Sequence, residues 1–194
     1  MGRPVCISRG AVLAAALGAA DENGLGGVTM PAVARRLNVT PMALYRHVRD
    51  KDDLLDGLVE LLVDELAVAM PRSDASDPER IVERFVTVAT DLARRHPAVS
   101  TLLLTRPVNT PSARARRSQF HEVLRRIGVR DEHVVTVERI LTSTVLAVAA
   151  GQATGRFSTA LTDADERMVV DFVVAGLGAF LPGRAGLSCR EIHQ

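Results

Sequence analysis

The sequence predicts an all-α protein, with a small N-terminal three-helix unit followed by a larger helical body. Three observations carry this. The composition is 47% hydrophobic yet only 3% aromatic, whereas a sheet protein draws on aromatic and β-branched residues in alternation. Apolar residues recur at helical spacing in nearly every segment. The segments are punctuated by hydroxyl or acidic caps, by proline at first helical positions and by glycine at helix ends. A chain of 194 residues is long enough for one domain with a core, or for two small ones.

The first helix runs over residues 8–23, with Ser8 as N-cap, Gly24 as the left-handed residue after it and Leu25 as the apolar contact that follows. Leu13, Leu17 and Ala20 are expected to face the next two helices. Gly26 and Gly27 turn the chain into Thr29, the cap of the second helix. Residues 29–51 then read as two short helices around a tight turn. Thr40 and Pro41 start the second of these, and the Thr40 hydroxyl is expected to accept from an early backbone N–H. At helical spacing Val33, Leu37, Val39, Leu44 and Val48 point inward, which leaves Met42, Ala43, Tyr45, Arg46 and His47 facing out. A helix of two turns does not hold itself in water. An exposed face with an aromatic, an arginine and a histidine, flanked by Arg49 and Lys51, suits the major groove of DNA.

The charge distribution agrees. The whole chain carries a formal net charge of only +1, but residues 1–51 hold seven Lys and Arg against three Asp and Glu, so the head is basic and the body mildly acidic. The two cysteines, Cys6 and Cys189, stand at opposite ends in no metal-ligand spacing, and are read as reduced thiols of a cytoplasmic protein. The apolar run 11–20 behind Arg3 and Arg9 imitates a signal peptide. It is mostly alanine, however, and continues into a capped helix, so a helix is the better reading.

The fourth helix spans residues 50–70, with Asp50 and Asp53 in a capping-box-like relation and a stripe of Leu54, Leu55, Leu58, Leu61, Leu62 and Leu66. This stripe is wide enough to pack on both head and body. Residues 71–78 are a polar turn. A helix over 79–96 ends at Pro97, and a short apolar helix follows over 98–105. The amphipathic segment 113–127 carries Arg114, Arg116, Arg117, Arg125 and Arg126, a solvated face rather than a second DNA patch. Segments 131–151 and 162–181 are the most apolar; the second opens with a capping box at Thr162 and Asp165. Its residues 168–181 are apolar nearly all round but too few to span a bilayer, so it is expected to be buried, paired with the 131–151 helix and their copies in a second subunit. Residues 183–194 read as a frayed tail.

The segments Thr29-Met30, Ala34-Arg35-Arg36-Leu37, Val39, Leu44-Tyr45-Arg46-His47-Val48 and Lys51-Asp52-Asp53-Leu54-Leu55 resemble the helix-turn-helix of the tetracycline-repressor (TetR) family, a match covering roughly residues 8–66. Leu103-Leu104-Thr105-Arg106-Pro107 resembles the corresponding loop of the tetracycline repressor's own C-terminal class. The resemblance implies a helix-turn-helix DNA-binding domain over residues 1–51 and a ligand-binding and dimerisation domain over 52–194. It implies base contacts from Met42, Ala43 and Arg46, and phosphate contacts from Thr29, Thr40, Tyr45, His47 and Lys51. It also implies an effector cavity in the body, for which Thr101, Thr105, Asn109, Gln119, Thr142 and Ser143 are the polar candidates and Phe85 and Phe120 the apolar walls. Two departures narrow it. The repressor's magnesium-binding histidine falls on Leu102 and its drug-contacting histidine near Ala67, so a metal-tetracycline site is not expected and the effector is more apolar. The base-reading arginine of the second helix falls on Pro31, which leaves that role to Arg46.

Enzyme signals are weak. His121-Glu122 fails the HExxH spacing because position 125 is Arg, the Asp163–Glu166 cluster is a helix cap, and no nucleophile elbow, phosphate loop or dinucleotide fingerprint appears. The expectation is a cytoplasmic homodimeric regulator, a repressor of a palindromic operator released by a small molecule. It needs no cofactor, metal or membrane, and the alternative is an architectural DNA-binding protein without an effector.

Overall fold

The structure is a computed structural model that describes residues 7–69, 77–107, 110–157, 159 and 162–181, and among these it holds helices and no strand. Cys6, Cys189, residues 71–76 of the turn expected at 71–78, Asn109 and the tail lie outside the described residues. The chain order is α1 (Arg9–Gly27), α2 (Met30–Arg36), α3 (Pro41–Leu44), α4 (Lys51–Ala69), α5 (Pro78–Arg95), α6 (Pro97–Ser100), α7 (Leu102–Thr105), α8 (Pro111–Arg126), α9 (Asp131–Ala153) and α10 (Asp163–Gly178).

The caps follow the side-chain chemistry. Ser8 accepts from the Ala11 amide, Thr29 from Ala32, Asp77 from Glu79, Thr110 from Ala113 and Thr162 from Asp165. Thr162 and Asp165 form the expected reciprocal box, and the donors from Thr162, backbone N–H first and hydroxyl second, hold the Asp165 carboxyl below its usual range. Gly24, with φ 66°, kinks α1 near its end, a conformation that favours glycine. Thr40 departs from expectation: its side chain makes no capping bond, and α3 is one regular turn continued by an irregular turn to His47. The predicted single helix at 98–105 is two one-turn helices. Ser100, Thr101 and Thr105 each turn their hydroxyls onto nearby backbone carbonyls, the local bonding that competes with a regular ladder.

One core cluster runs from Val12, Ala16 and Leu44 through Leu54, Leu58 and Leu62 of α4 to Phe85, Leu92, Leu141 and Val173. It crosses residue 51 without a break, so the head is packed on the body rather than standing apart. At Gly57 the Leu13 side chain lies 2.5 Å from where a Cβ would stand, which fixes how closely α1 approaches α4. A second joint brings α1 onto α6, where His96 Nδ1 lies 3.0 Å from both carboxylate oxygens of Asp21. In the body, α5 is the central helix, flanked by α4, α9 and α10. By length and composition α9 is apolar enough to cross a bilayer; it packs one side against α5 and α8, with 39% of that stretch buried. The last helix is not buried within one chain: Met168 is 67% and Phe172 73% exposed, beside an exposed face of α9 with Val135, Ile140 and Ser143.

Candidate functional site

The first candidate surface is built on the shortest helix. Leu44 and Val48 are fully buried and anchor the turn after Thr40, an anchoring of about 1.5–3 kcal/mol for each large apolar side chain. With those two positions fixed inward, Met42 (74% exposed), Tyr45 and Arg46 project outward, and Ala43 and His47 sit half-buried beside them. Thr29 and Thr40 are exposed at the starts of α2 and α3, and Thr29 is engaged in capping. Lys51 is exposed, and its ammonium donates to the Leu25 carbonyl at 3.3 Å. Arg46 and Arg35 make no ion pair among the described residues. Arg36 is instead bound to Glu22, whose carboxyl that bond lowers from its ordinary range.

A brace that sequence reasoning missed holds this surface in place. The Arg9 guanidinium, on the first turn of α1, donates to the His47 carbonyl at 2.8 Å and to Asp53 Oδ1 at 2.8 Å. Asp53 also accepts from the Arg49 backbone N–H at 2.8 Å, while its own N–H donates to Asp50. The Arg9 guanidinium is the main cause, with the Arg49 amide adding, that the mostly shielded Asp53 carboxyl stays below the usual carboxylate range; burial works against it. The brace ties the end of the recognition segment to α1 and to the start of α4. Its partners are 38 and 44 residues apart, so no local spacing signalled it.

The second candidate site is a cavity of about 510 Å³ between α4, α5, α7, α8 and α9, within the size range of small-molecule sites. Phe85, Gln119, Phe120 and Thr142 line it, and the two phenyl rings stack at 6.1 Å between centroids. Thr101, Thr105 and Ser143 do not line it. The first two hydroxyls are bound to the backbone of α6 and α7, and Ser143 lies on the open face of α9. The charged lining was not foreseen. Arg116, Arg117 and Arg126 face the cavity with Glu122 and Glu138, which corrects the reading of that helix as a purely solvated face. Arg116 Nε donates to Asp64 of α4 at 3.1 Å; Arg117 Nε lies 3.4 Å from Glu138, whose other oxygen is 3.2 Å from His121 Nε2. Val63, Leu66, Leu103, Val123 and Leu146 complete the apolar wall.

Residues 12–58 match the family described as bacterial regulatory proteins, tetR family. The HTH-type transcriptional repressor DrrR1 of Streptomyces coeruleorubidus is 30% identical over 162 residues, covering 79% of this chain and 58% of that protein. The chain spans about three-fifths of the length of the first curated relatives it matches, 58% and 61%. Among solved structures, apo ActR from Streptomyces coelicolor superposes with a TM-score of 0.75 at 20% identity, covering 91% of this chain and 96% of the other. A TetR variant from Acinetobacter baumannii AYE in complex with minocycline gives 0.73 at 22% identity, covering 89% and 97%. These two likenesses establish the all-helical fold, a head joined to a larger helical body.

Proposed function

We propose, for a chain that belongs to the tetR family of bacterial regulatory proteins, that it is a cytoplasmic, non-enzymatic, homodimeric repressor that binds a palindromic operator and is released by a small molecule. The observation that carries this is the pairing of an outward recognition surface with a lined cavity on either end of one helix, α4. Its first turn receives the brace from Arg9, and its Val63, Leu66 and Ala67 wall the cavity. Movement of α4 on ligand binding would change the separation of two recognition segments, which must stand about 34–36 Å apart to enter successive major grooves. A coupling of about 1–3 kcal/mol is what one such site typically supplies.

Within the head (residues 1–51, with the rest of the chain as the ligand-binding and dimerisation domain), we assign base contacts to Met42, Ala43 and Arg46. Arg46 is the strongest candidate because it is exposed and has no ion-pair partner among the described residues, and arginine reads guanine in a bidentate manner. Thr29, Thr40, Tyr45, His47 and Lys51 are assigned to phosphates. The dimer is proposed through α9 and α10, whose open faces carry Val135, Ile140, Met168 and Phe172; a two-fold copy would cover them. Selection of bound fragments from random DNA, followed by sequencing, tests the whole reading. The expected result is a palindrome with half-sites one helical turn apart. Enrichment without any symmetric motif would favour an architectural role and overturn this proposal.

A further inference from the structure

Resting on the reading of the cavity as an effector site, we infer that its ligand is a largely apolar acid whose carboxylate binds Arg116 and Arg117 and competes with Asp64 for Arg116. Consecutive residues on a helix point about 100° apart. Arg116 and Arg117 accordingly reach opposite walls, one to Asp64 on α4 and the other to Glu138 on α9. They clip α8, which packs chiefly on those two helices, over the cavity.

A guanidinium carries five N–H donors. In each clip the Nε is the nitrogen directed at the carboxylate, and both side chains line the cavity. The terminal nitrogens are therefore the donors available to a ligand. The acceptor side is the reverse. Glu138 is nearly buried and already faces both Arg117 and His121, and the Thr142 hydroxyl donates to the Glu138 backbone carbonyl at 2.7 Å. A cationic ligand would have to take Glu138 from Arg117 and His121, or Glu122 from Arg125 and Arg126, whereas a carboxylate meets donors in the forked geometry it prefers. The rest of the molecule would lie against Phe85, Phe120, Val63, Leu66, Leu103 and Leu146.

The competition gives the acid a route to the DNA head. Asp64 belongs to the helix that enters the head and is about half exposed, so water solvates it once Arg116 turns away. Arg116 rotating onto a ligand carboxylate unfastens α8 from α4. Because coupling is reciprocal, loosening the clip from the Asp64 side must tighten acid binding.

The test uses the full chain and a matched pair of probes, anthracene-2-carboxylate and its neutral carboxamide, followed by fluorescence titration. The expected result is that the acid binds at least tenfold more tightly than the amide, and that Arg116→Gln removes most of that preference. Asp64→Asn is expected to tighten the acid severalfold and leave the amide unchanged. Equal binding of acid and amide, abolished in both by the cavity-filling Leu146→Trp, would overturn the acid while leaving the cavity reading intact. Binding that ignores Leu146→Trp, or no binding of either probe, would overturn both. An Asp64→Asn chain with unaltered acid affinity would overturn the competition.

Discussion

Arginines cluster in two regions of this molecule, and the two regions use them differently. Beside α3, Arg46 has no ion-pair partner among the described residues and shares its surface with exposed Met42 and Tyr45. On α8, Arg116, Arg117, Arg125 and Arg126 each meet a carboxylate, from Asp64, Glu138, Asp131 and Glu122. An unpaired guanidinium keeps its charge and donors for a partner molecule. A paired one fastens helices together and answers a ligand only by exchanging partners. Composition and periodicity give both helices the same signature; apart from Glu122 of α8 itself, the acids that separate them come from other helices.

The comparison is broken most severely from underneath. Leu44→Ala removes the buried anchor of the recognition segment and is expected to cost about 2–5 kcal/mol in urea unfolding, with operator binding lost in step. Leu124→Ala, equally buried under α8, falls in the same range, about 2–5 kcal/mol, but leaves operator affinity of the folded fraction intact. Equal loss of operator affinity in both folded variants would erase the distinction between the two regions.

Exchanging the roles of the arginines sharpens it. Arg46→Ala should weaken operator binding by about 1–3 kcal/mol and flatten sequence preference in anisotropy titrations, with stability moved by no more than about 0.5 kcal/mol. Arg117→Ala should do the opposite, costing about 1–3 kcal/mol of stability as Glu138 loses a partner, with ligand-free DNA affinity unchanged. A large stability loss in Arg46→Ala would show that the guanidinium has a structural partner after all.

The brace gives a pH-dependent prediction. Asp53 titrates lower in the folded chain than in the unfolded one, so its contribution is complete above pH ~4, the ordinary aspartate value, and is lost as pH falls through the depressed folded value. At pH 7, Asp53→Asn should cost about 1.5–3 kcal/mol, the range for charged hydrogen bonds. The gap to wild type should narrow as pH falls below about 4 in denaturant titrations; a gap of constant size would remove the brace from the account. The smallest effect is expected at the caps of the head. Thr29→Ala should cost about 0.5–2 kcal/mol, whereas Thr40→Ala, whose hydroxyl caps nothing, should stay within about 0.5 kcal/mol.

The head was largely legible because its signals are local. Ser8 and Thr29 cap as their chemistry predicts, Gly24 bends the end of α1, and Leu44 and Val48 turn inward at helical spacing. The cavity was legible only in part. Phe85, Gln119, Phe120 and Thr142 reach it, but Thr101 and Thr105 turn to their own backbone and Ser143 to the open face of α9. Polarity alone does not say which side of a helix faces a void. The brace from Arg9 was invisible because its partners are distant in sequence.

The residue order by itself settled which segments are helical, where they start, and which side of the 41–48 turn is greasy, since caps and periodicity act within a few positions. Packing alone decided that Arg9 grips Asp53, that α8 is clipped at both edges, and which side chains surround empty space. Those outcomes depend on charges and volumes contributed by helices dozens of residues apart, and distance through space is not written in the order of the chain.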